Sequence, residues 1–415
     1  MVTVDKSIDR DFGRLFRATT VSRLGSEISE LAVPLLLILS LDASGSQVGF
    51  LRAAQFLPFL LFTLHAGVLV DRVRRRGLMI GADLVRFGLI GAIPVAVWLG
   101  LSRPEPLYVL VFLAGAATVV HQLADQAYLP GLVGRDRVLA ANSRIGAAQS
   151  AADLSGQGVG GALVAWLTAP VAVLVDAFTY LYSALTLSRI RHREAPVGGS
   201  AGPVRVRDGL AFLVRSRYLR ALVGEAAAYN IGYQVFSIGL LLWLARDLRL
   251  SPAIIGLVIS LGAIGAFGGA AFGARLSARY GYGRTMLVTM AVGNGAPLAL
   301  FAPTGSGTTT VVLLSAVYLV MGFGTAVANV HNISLRQTAV PDAIQGRVTA
   351  AYRLVSWGCI PLGSVLGGLL DGALGHHGAV LTGAVVIASA TLFVALSPIP
   401  RLRQAPRTEE LQPGA

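Results

Sequence analysis

Runs of about 20 mostly apolar residues, the length a helix needs to cross a bilayer, follow one another along nearly the whole chain with only short polar breaks. They predict twelve helices, over residues 12–41, 46–70, 79–100, 106–129, 143–168, 170–188, 219–245, 252–276, 285–303, 309–336, 347–372 and 378–398. Composition points the same way. Of 415 residues, 54% are hydrophobic and 13% charged, and a mean hydropathy of +0.68 is too apolar for a soluble domain. The expected fold class is an all-α integral membrane protein with twelve transmembrane helices. The N-terminal region has no short apolar core followed by a small-residue cleavage site, so the first helix reads as retained. The one cysteine, Cys359, lies within an apolar run and reads as a small hydrophobe rather than a nucleophile.

A net charge of +13 raises the alternative of nucleic-acid binding, and the positions of the basic residues decide against it. With the N-terminus cytoplasmic, the inside segments collect Arg10, Arg14 and Arg17, Arg72 to Arg76, Arg135 and Arg137, the arginines between Arg189 and Arg217, Arg279 and Arg284, and finally Arg401, Arg403 and Arg407. The outside loops keep only Arg103, Arg246 and Arg249. This positive-inside bias places both termini and the central linker in the cytoplasm.

The linker, containing Gly198, Gly199, Ser200, Gly202 and Pro203 among arginines, separates six helices from six. The expected organisation is therefore an N-terminal half at 1–188, a linker at 189–218, a C-terminal half at 219–400 and a tail at 401–415. The halves resemble each other. PGLVGRDRVLAA from Pro130 aligns with PDAIQGRVTAA from Pro341 after one gap, and the next helix carries Gly156, Gly160 and Gly161 in one half and Gly363, Gly367 and Gly368 in the other. Duplicated six-helix halves are a transporter architecture that puts a binding site near the midplane.

Between the second and third helices runs Gly67, Val68, Leu69, Val70, Asp71, Arg72, Val73, Arg74, Arg75, Arg76. This resembles the signature loop of the major facilitator superfamily, in which a Gly precedes an Asp and an Arg-rich run. A small Gly67 lets two helices approach, Asp71 caps or pairs at the cytoplasmic mouth, and the arginines stay in the headgroup zone. We therefore expect a cytoplasmic gate from Gly67, Asp71, Arg72, Arg75 and Arg76, with Asp125 of the fourth helix pairing to Arg72 or Arg75. The second-half counterpart, Gly273 to Arg284, has Ser277 in place of the Asp. In the fifth helix, Gly156 to Gly161 resembles the Gly-Pro-x-x-Gly-Gly motif of drug/proton antiporters, with Gln157 replacing the Pro. Close packing explains these glycines by itself, since the eighth helix offers Gly265, Gly269 and Gly273 at the same spacing. GSEISELAVPLLL, ADLVR (Ala82 to Arg86), AYLPGLV and LVDAFTYLYSALTL extend the resemblance to the branch containing the enterobactin exporter and macrolide efflux proteins. That resemblance implies proton-driven efflux of hydrophobic or natural-product-like compounds from the cytoplasm across the cell (inner) membrane, as in multidrug resistance. No phosphate-binding Gly-x-x-x-x-Gly-Lys loop occurs.

Ionisable groups inside spans are costly, about 2.5–3.5 kcal/mol each at a helix centre, and mark mechanism. Glu27 and Glu30 share a face of the first helix with Arg23, and Asp153 shares a face of the fifth with Gln157. Loss of water penalises the charged form of such carboxylates, so we expect the proton carrier among Glu27, Glu30 and Asp153. The competing reading pairs Glu27 with Arg23, or Glu30 with Arg52, as structural ion pairs. Arg52, Gln157, Tyr229, Asn230, Gln234, Asn329 and Trp357 are expected to line the substrate cavity. Asp83 and Arg86 read as a helix-end pair, and Asp176 as structural. No cofactor or metal is expected. The expected partners are a small-molecule substrate, protons and the bilayer, not nucleic acid, and the chain is expected to act as a monomer. A proton-coupled importer uses the same architecture, a transport-inactive sensor would need an added soluble domain, and an enzyme would need a His/Asp/Glu cluster that the spans lack.

The orientation is testable by labelling. Single cysteines placed within 195–205 should react with an impermeant thiol reagent only from the cytoplasmic side, and cysteines at Asp42 or Thr304 only from outside. The reverse pattern would overturn the topology.

Overall fold

The computed structural model describes residues 6–100, 103–192, 194, 206–302 and 307–404. The linker residues 195–205, Arg193, Thr304 and the tail from 405 lie outside the described residues. Within them the chain is helical, with no strand. The helices are α1 (Lys6–Ser40), α2 (Gly45–Arg72), α3 (Arg75–Trp98), α4 (Glu105–Val133), α5 (Val138–Trp166), α6 (Ala169–Ser188), α7 (Val206–Arg215), α8 (Arg217–Leu242), α9 (Pro252–Tyr280), α10 (Tyr282–Gly295), α11 (Thr308–Ala339) and α12 (Asp342–Ala395). α12 is two arms meeting at Gly375, whose φ of 74° is the left-handed conformation that glycine adopts without a Cβ clash. The break falls between the spans expected at 347–372 and 378–398.

Seven of these helices, or eight with the bent α2, are long and apolar enough to span a membrane on length and composition alone. α1 and α5 fall short for a reason that matters below. α1 carries Arg23, Glu27 and Glu30, and α5 carries Asn142, Gln149, Asp153 and Gln157, so their spans are polar on one face. The one helix that the apolar runs did not predict is α7, inside the expected linker. It is short and amphipathic, with Leu213 fully buried and Gly209 set against the Arg347 carbonyl of α12. At 10 residues, with its apolar run held between charged ends, it is too short to register in a search for spans.

The chain forms two compact units, one of residues 1–43, 54–202 and 251–257, the other of 44–53, 203–250 and 258–415. In the first, α1 packs on α5 and α6, and α3 on α4 and α6. Leu15, Met79, Leu132 and Leu187 close one end of it. In the second, α8 runs along α12, and α10 packs on α11 and α12, with Leu222, Met286, Leu335 and Val348 in the core at one end.

Each unit borrows the first turns of one helix through a glycine contact. In the first unit, a Cβ on Gly161 of α5 would stand 2.4 Å from the Pro252 carbonyl oxygen and 3.0 Å from Gly256 Cα of α9. In the second, a Cβ on Gly49 of α2 would stand 2.4 Å from the Ser364 carbonyl oxygen of α12. Backbones meet there because neither helix carries a side chain at the crossing. This corrects the expected pairing of glycines. Gly156 and Gly160 pack on Glu27 and Ile28 of α1, while Gly265 and Gly269 pack on the Leu319 and Phe323 carbonyls of α11 and Gly273 on Val327.

The crossing makes a quantitative prediction. Gly161→Val should lower the melting temperature of the purified protein, with an overpacking cost of about 1–3 kcal/mol. Gly146→Ala, where a Cβ meets nothing within 4 Å, should be neutral or slightly stabilising. Equal melting temperatures for Gly161→Val and the wild type would rule out the close crossing.

Candidate functional site: a charged cavity in the first unit

A cavity of about 680 Å³ lies within the first unit, lined from α1 to α6, in the size range of small-molecule sites. Helical spacing builds its α1 wall, because Arg23, Glu27 and Glu30 at i, i+4 and i+7 share a face. Arg23 is the hub. Its Nη2 lies 2.8 Å from Glu27 Oε1, and its Nε donates to Asp153 Oδ1 of α5, also at 2.8 Å. Gly156 makes the second contact possible, since a Cβ there would fall 2.3 Å from Glu27 Cβ. Gln157 Nε2 approaches Glu27 Oε2 at 3.5 Å, and Gln55 Nε2 of α2 reaches Glu30 at 3.4 Å. The paired reading of Glu27 with Arg23 is thus realised, with Asp153 as a second claimant on the same guanidinium.

The opposite wall comes from α3, α4 and α6. Asp83 and Arg86 are a buried pair, 0% and 4% exposed, not the helix-end pair expected from sequence. His121 Nε2 of α4 stands 3.4 Å from Asp83 Oδ1, too poorly aligned for a hydrogen bond. The Arg86 guanidinium lies 4.3 Å over the Tyr180 ring, and the Tyr180 hydroxyl meets Ser26 Oγ at 3.0 Å. Asp125 also lines this cavity. Its charged neighbours are His121 and Asp83 rather than the arginines of the gate loop, a second correction. Asp176, read as structural, is fully buried and belongs to the same wall.

The wall therefore sets Glu27, Glu30, Asp125, Asp153 and Asp176 against Arg23, Arg86 and His121. One guanidinium shared by two carboxylates leaves negative charge in excess, which protons or a cationic group can balance. The i, i+3 spacing of Asp83 and Arg86 was the signal for their pair. The apolar flanks of Asp176 concealed its role.

Of the residues expected to line a substrate cavity, Arg52, Gln157, Tyr229, Asn230, Gln234, Asn329 and Trp357, none lines this one. Gln157 stands behind Glu27, and Arg52 is in the part of α2 belonging to the second unit. In that unit Tyr229 stacks on Tyr233 and meets Thr325 at 3.3 Å, Asn230 donates to the Ser356 carbonyl at 2.8 Å, and Gln234 packs on Gly363. Asn329 and Trp357 are exposed. Glu225, which the sequence reading passed over, is buried on α8.

At the gate loop, a Cβ on Gly67 would meet nothing within 4 Å, so the close helix approach expected there is not made in this structure. Asp71 and Arg72 are exposed. The ordering of the loop comes instead from Glu194, whose carboxylate accepts the backbone N–H groups of Arg75 and Arg76 at 2.7 and 2.8 Å, capping α3. Arg76 donates to the Leu187 carbonyl at 3.0 Å and to that of Ser188, at the end of α6. Asp11 likewise accepts from the N–H groups of Arg191 and His192. Ser277, the counterpart of the missing Asp, meets His331 Nε2 at 2.6 Å.

A helical membrane protein with a partly open cavity that bears charged residues and is walled by its spans has the build of a secondary transporter. Residues 8–412 match the family described as transmembrane secretion effector, and the chain belongs to that family of the major facilitator superfamily. The Multidrug efflux pump Tap of Mycolicibacterium fortuitum is 27% identical over 406 residues, 94% of this chain and 95% of its own. Among solved structures, a bacterial homologue of the lysosomal transporter Spinster matches with a TM-score of 0.75 at 13% identity, over 99% of this chain and 100% of its own. A bacterial homologue of the iron transporter ferroportin, in its inward-facing state, matches at 0.73 and 18% over 93% and 98%.

Two variants separate anchoring from gating at the loop. Glu194→Ala removes a cap and should cost about 0.5–2 kcal/mol, read as a lower melting temperature. Asp71→Asn should leave melting and expression unchanged while slowing transport. Wild-type transport by Asp71→Asn would end the gating role.

Proposed function

We propose that this protein is an exporter of small organic molecules from the cytoplasm, driven by inward proton movement through alternating access. The observation that carries the reading is the Arg23 hub, in which one guanidinium holds two carboxylates, Glu27 and Asp153, at 2.8 Å in a cavity of the first unit. A cation shared in this way can be released by protonating either acid, and a substrate group can take its place, so proton and substrate compete for one charge balance. The efflux function named for the relative from Mycolicibacterium fortuitum, similar over nearly all of both chains, supports the outward direction. The basic residues support a cytoplasmic membrane location with both termini inside. In this reading 1–188 and 219–400 are the two halves, 189–218 is the linker that lets them rock, 401–415 is a cytoplasmic tail and the chain works as a monomer.

Glu27, Glu30 and Asp153 remain the proton-carrying candidates, with Asp153 the most exposed of the Arg23 hub, its side chain 46% accessible. In everted vesicles loaded by a pH gradient, with ethidium and a panel of antibiotics and siderophores as probes, the true carrier's Glu→Gln or Asp→Asn variant should lose accumulation. It should keep substrate counterflow, because only coupling is removed. Accumulation by all three single variants would refute the assignment and leave these acids as structural partners of Arg23.

A further inference from the structure

Twelve buried side-chain atoms among the described residues lack a protein hydrogen-bond partner, and nine of them are in the first unit. They are not scattered. Asp83 Oδ2, Arg86 Nε, His121 Nε2, Asp125 Oδ1, Tyr128 Oη and Arg75 Nε follow α3 and α4 from the cavity wall toward the end of the unit where α3 starts and α4 finishes. His121, Asp125 and Tyr128 are spaced i, i+4 and i+7 and so share one face of α4, over a rise of about 10 Å. Asp125 is on the cavity. Tyr128 is 2% exposed, its ring lies against His192 at 6.2 Å, and its charged neighbours are Glu194, Arg76 and Asp11 of the loop anchor.

Unpaired polar atoms are expensive to bury, and such atoms in native interiors are met by ordered water. An isolated orphan would be a local flaw, whereas a file of them running from a charged cavity toward the charged loop anchor calls for a shared account. We propose that the α3–α4 file is a proton relay, with Asp125 and His121 as its inner stations and the Tyr128 hydroxyl as its outer one. Each transfer breaks an O–H or N–H bond and forms one on the next acceptor. Tyr128 takes a proton from a water on one side while giving its own to a water on the other, and the net movement is one proton between cavity and loop. Asp83 and Arg86, bonded to each other, stand beside the imidazole, with Asp83 Oδ1 3.4 Å from His121 Nε2. The inference rests on the proton-coupled reading above but concerns different residues, none belonging to the Arg23 hub.

Tyr128→Phe is the cleanest test, because it removes only a hydroxyl that nothing in the protein holds. A structural role predicts unchanged or higher thermal stability and no kinetic effect. The relay predicts the same stability, but a slower proton uptake when purified protein in detergent is acidified by stopped flow with pyranine as indicator. Roughly a tenfold slowing is expected, below the low end of what a positioned proton-transfer group contributes to catalysis. His121→Ala should slow the same phase and be restored by added imidazole, which can enter the space and carry the proton. Wild-type rates in Tyr128→Phe, no rescue of His121→Ala, or a wild type with no slow uptake phase would each overturn the relay. The assay needs no substrate, so it separates from the vesicle experiment. Loss of coupling in the Arg23-hub variants with a normal uptake phase in Tyr128→Phe would leave the exporter reading standing without the relay.

Discussion

Lipid offers no hydrogen bonds, so every polar group inside a span must be satisfied by the protein or by water that the protein encloses. The rest of the structure follows from that constraint. Helices are imposed because they satisfy their own backbone. Glycine crossings are favoured because packing, not water exclusion, joins helices in a bilayer. The ionisable side chains that survive are drawn together, as at Arg23 with Glu27 and Asp153 and at Arg86 with Asp83. The polarity that makes α1 and α5 weak spans by composition is the same polarity that walls the cavity.

Most of the architecture was legible because membrane spans are written in one dimension. Apolar run length gave the helices, and even the break in α12 at Gly375 coincides with the boundary expected from sequence. Pairing of side chains across helices was much less legible. Sequence spacing tells which residues share a face, as for Arg23, Glu27 and Glu30, but not which helix that face meets. Hence Gly156 and Gly160 were matched by spacing to the wrong partner helix, whereas they lie on α1 at Glu27 and Ile28. Asp125 was assigned to the gate arginines for the same reason. Its charged neighbours are instead Asp83 of α3 and His121 of its own helix. Glu194 and Asp11 had no signal, because acids near an Arg-rich loop look like ordinary surface charge until the backbone groups that they cap are seen.

The internal repeat shows where the two units have diverged. Gly160 sits on Ile28 and Gly367 on Val235, while Gly156 meets Glu27 and Gly363 meets Gln234. The same glycine register thus places Gln234 where the first unit has Glu27, and the matching step of one turn places Asn230 where it has Arg23. The second unit fills these positions with amides, and Asn230 spends its donor on the Ser356 carbonyl. Amides bond to the backbone without charge, so at these two positions the second unit keeps the packing without an ion pair. Among the described residues its buried orphans, Ser260, Thr285 and Asn332, lie on three different helices and form no file along a helix face.

That divergence gives a reason for concentrating charge in one repeat. Two equally charged halves would each need their own neutralisation at every stage of a cycle, and the desolvation cost would be met twice. With both acids of the Arg23 hub on one side, a single shared guanidinium answers their charge, while the amides at the matching positions of the second unit carry no charge to neutralise. Duplication therefore supplies two frames of the same packing. Because packing depends on the glycines and not on the residues they face, the charged positions could change in one frame without disturbing the helix contacts that both frames share.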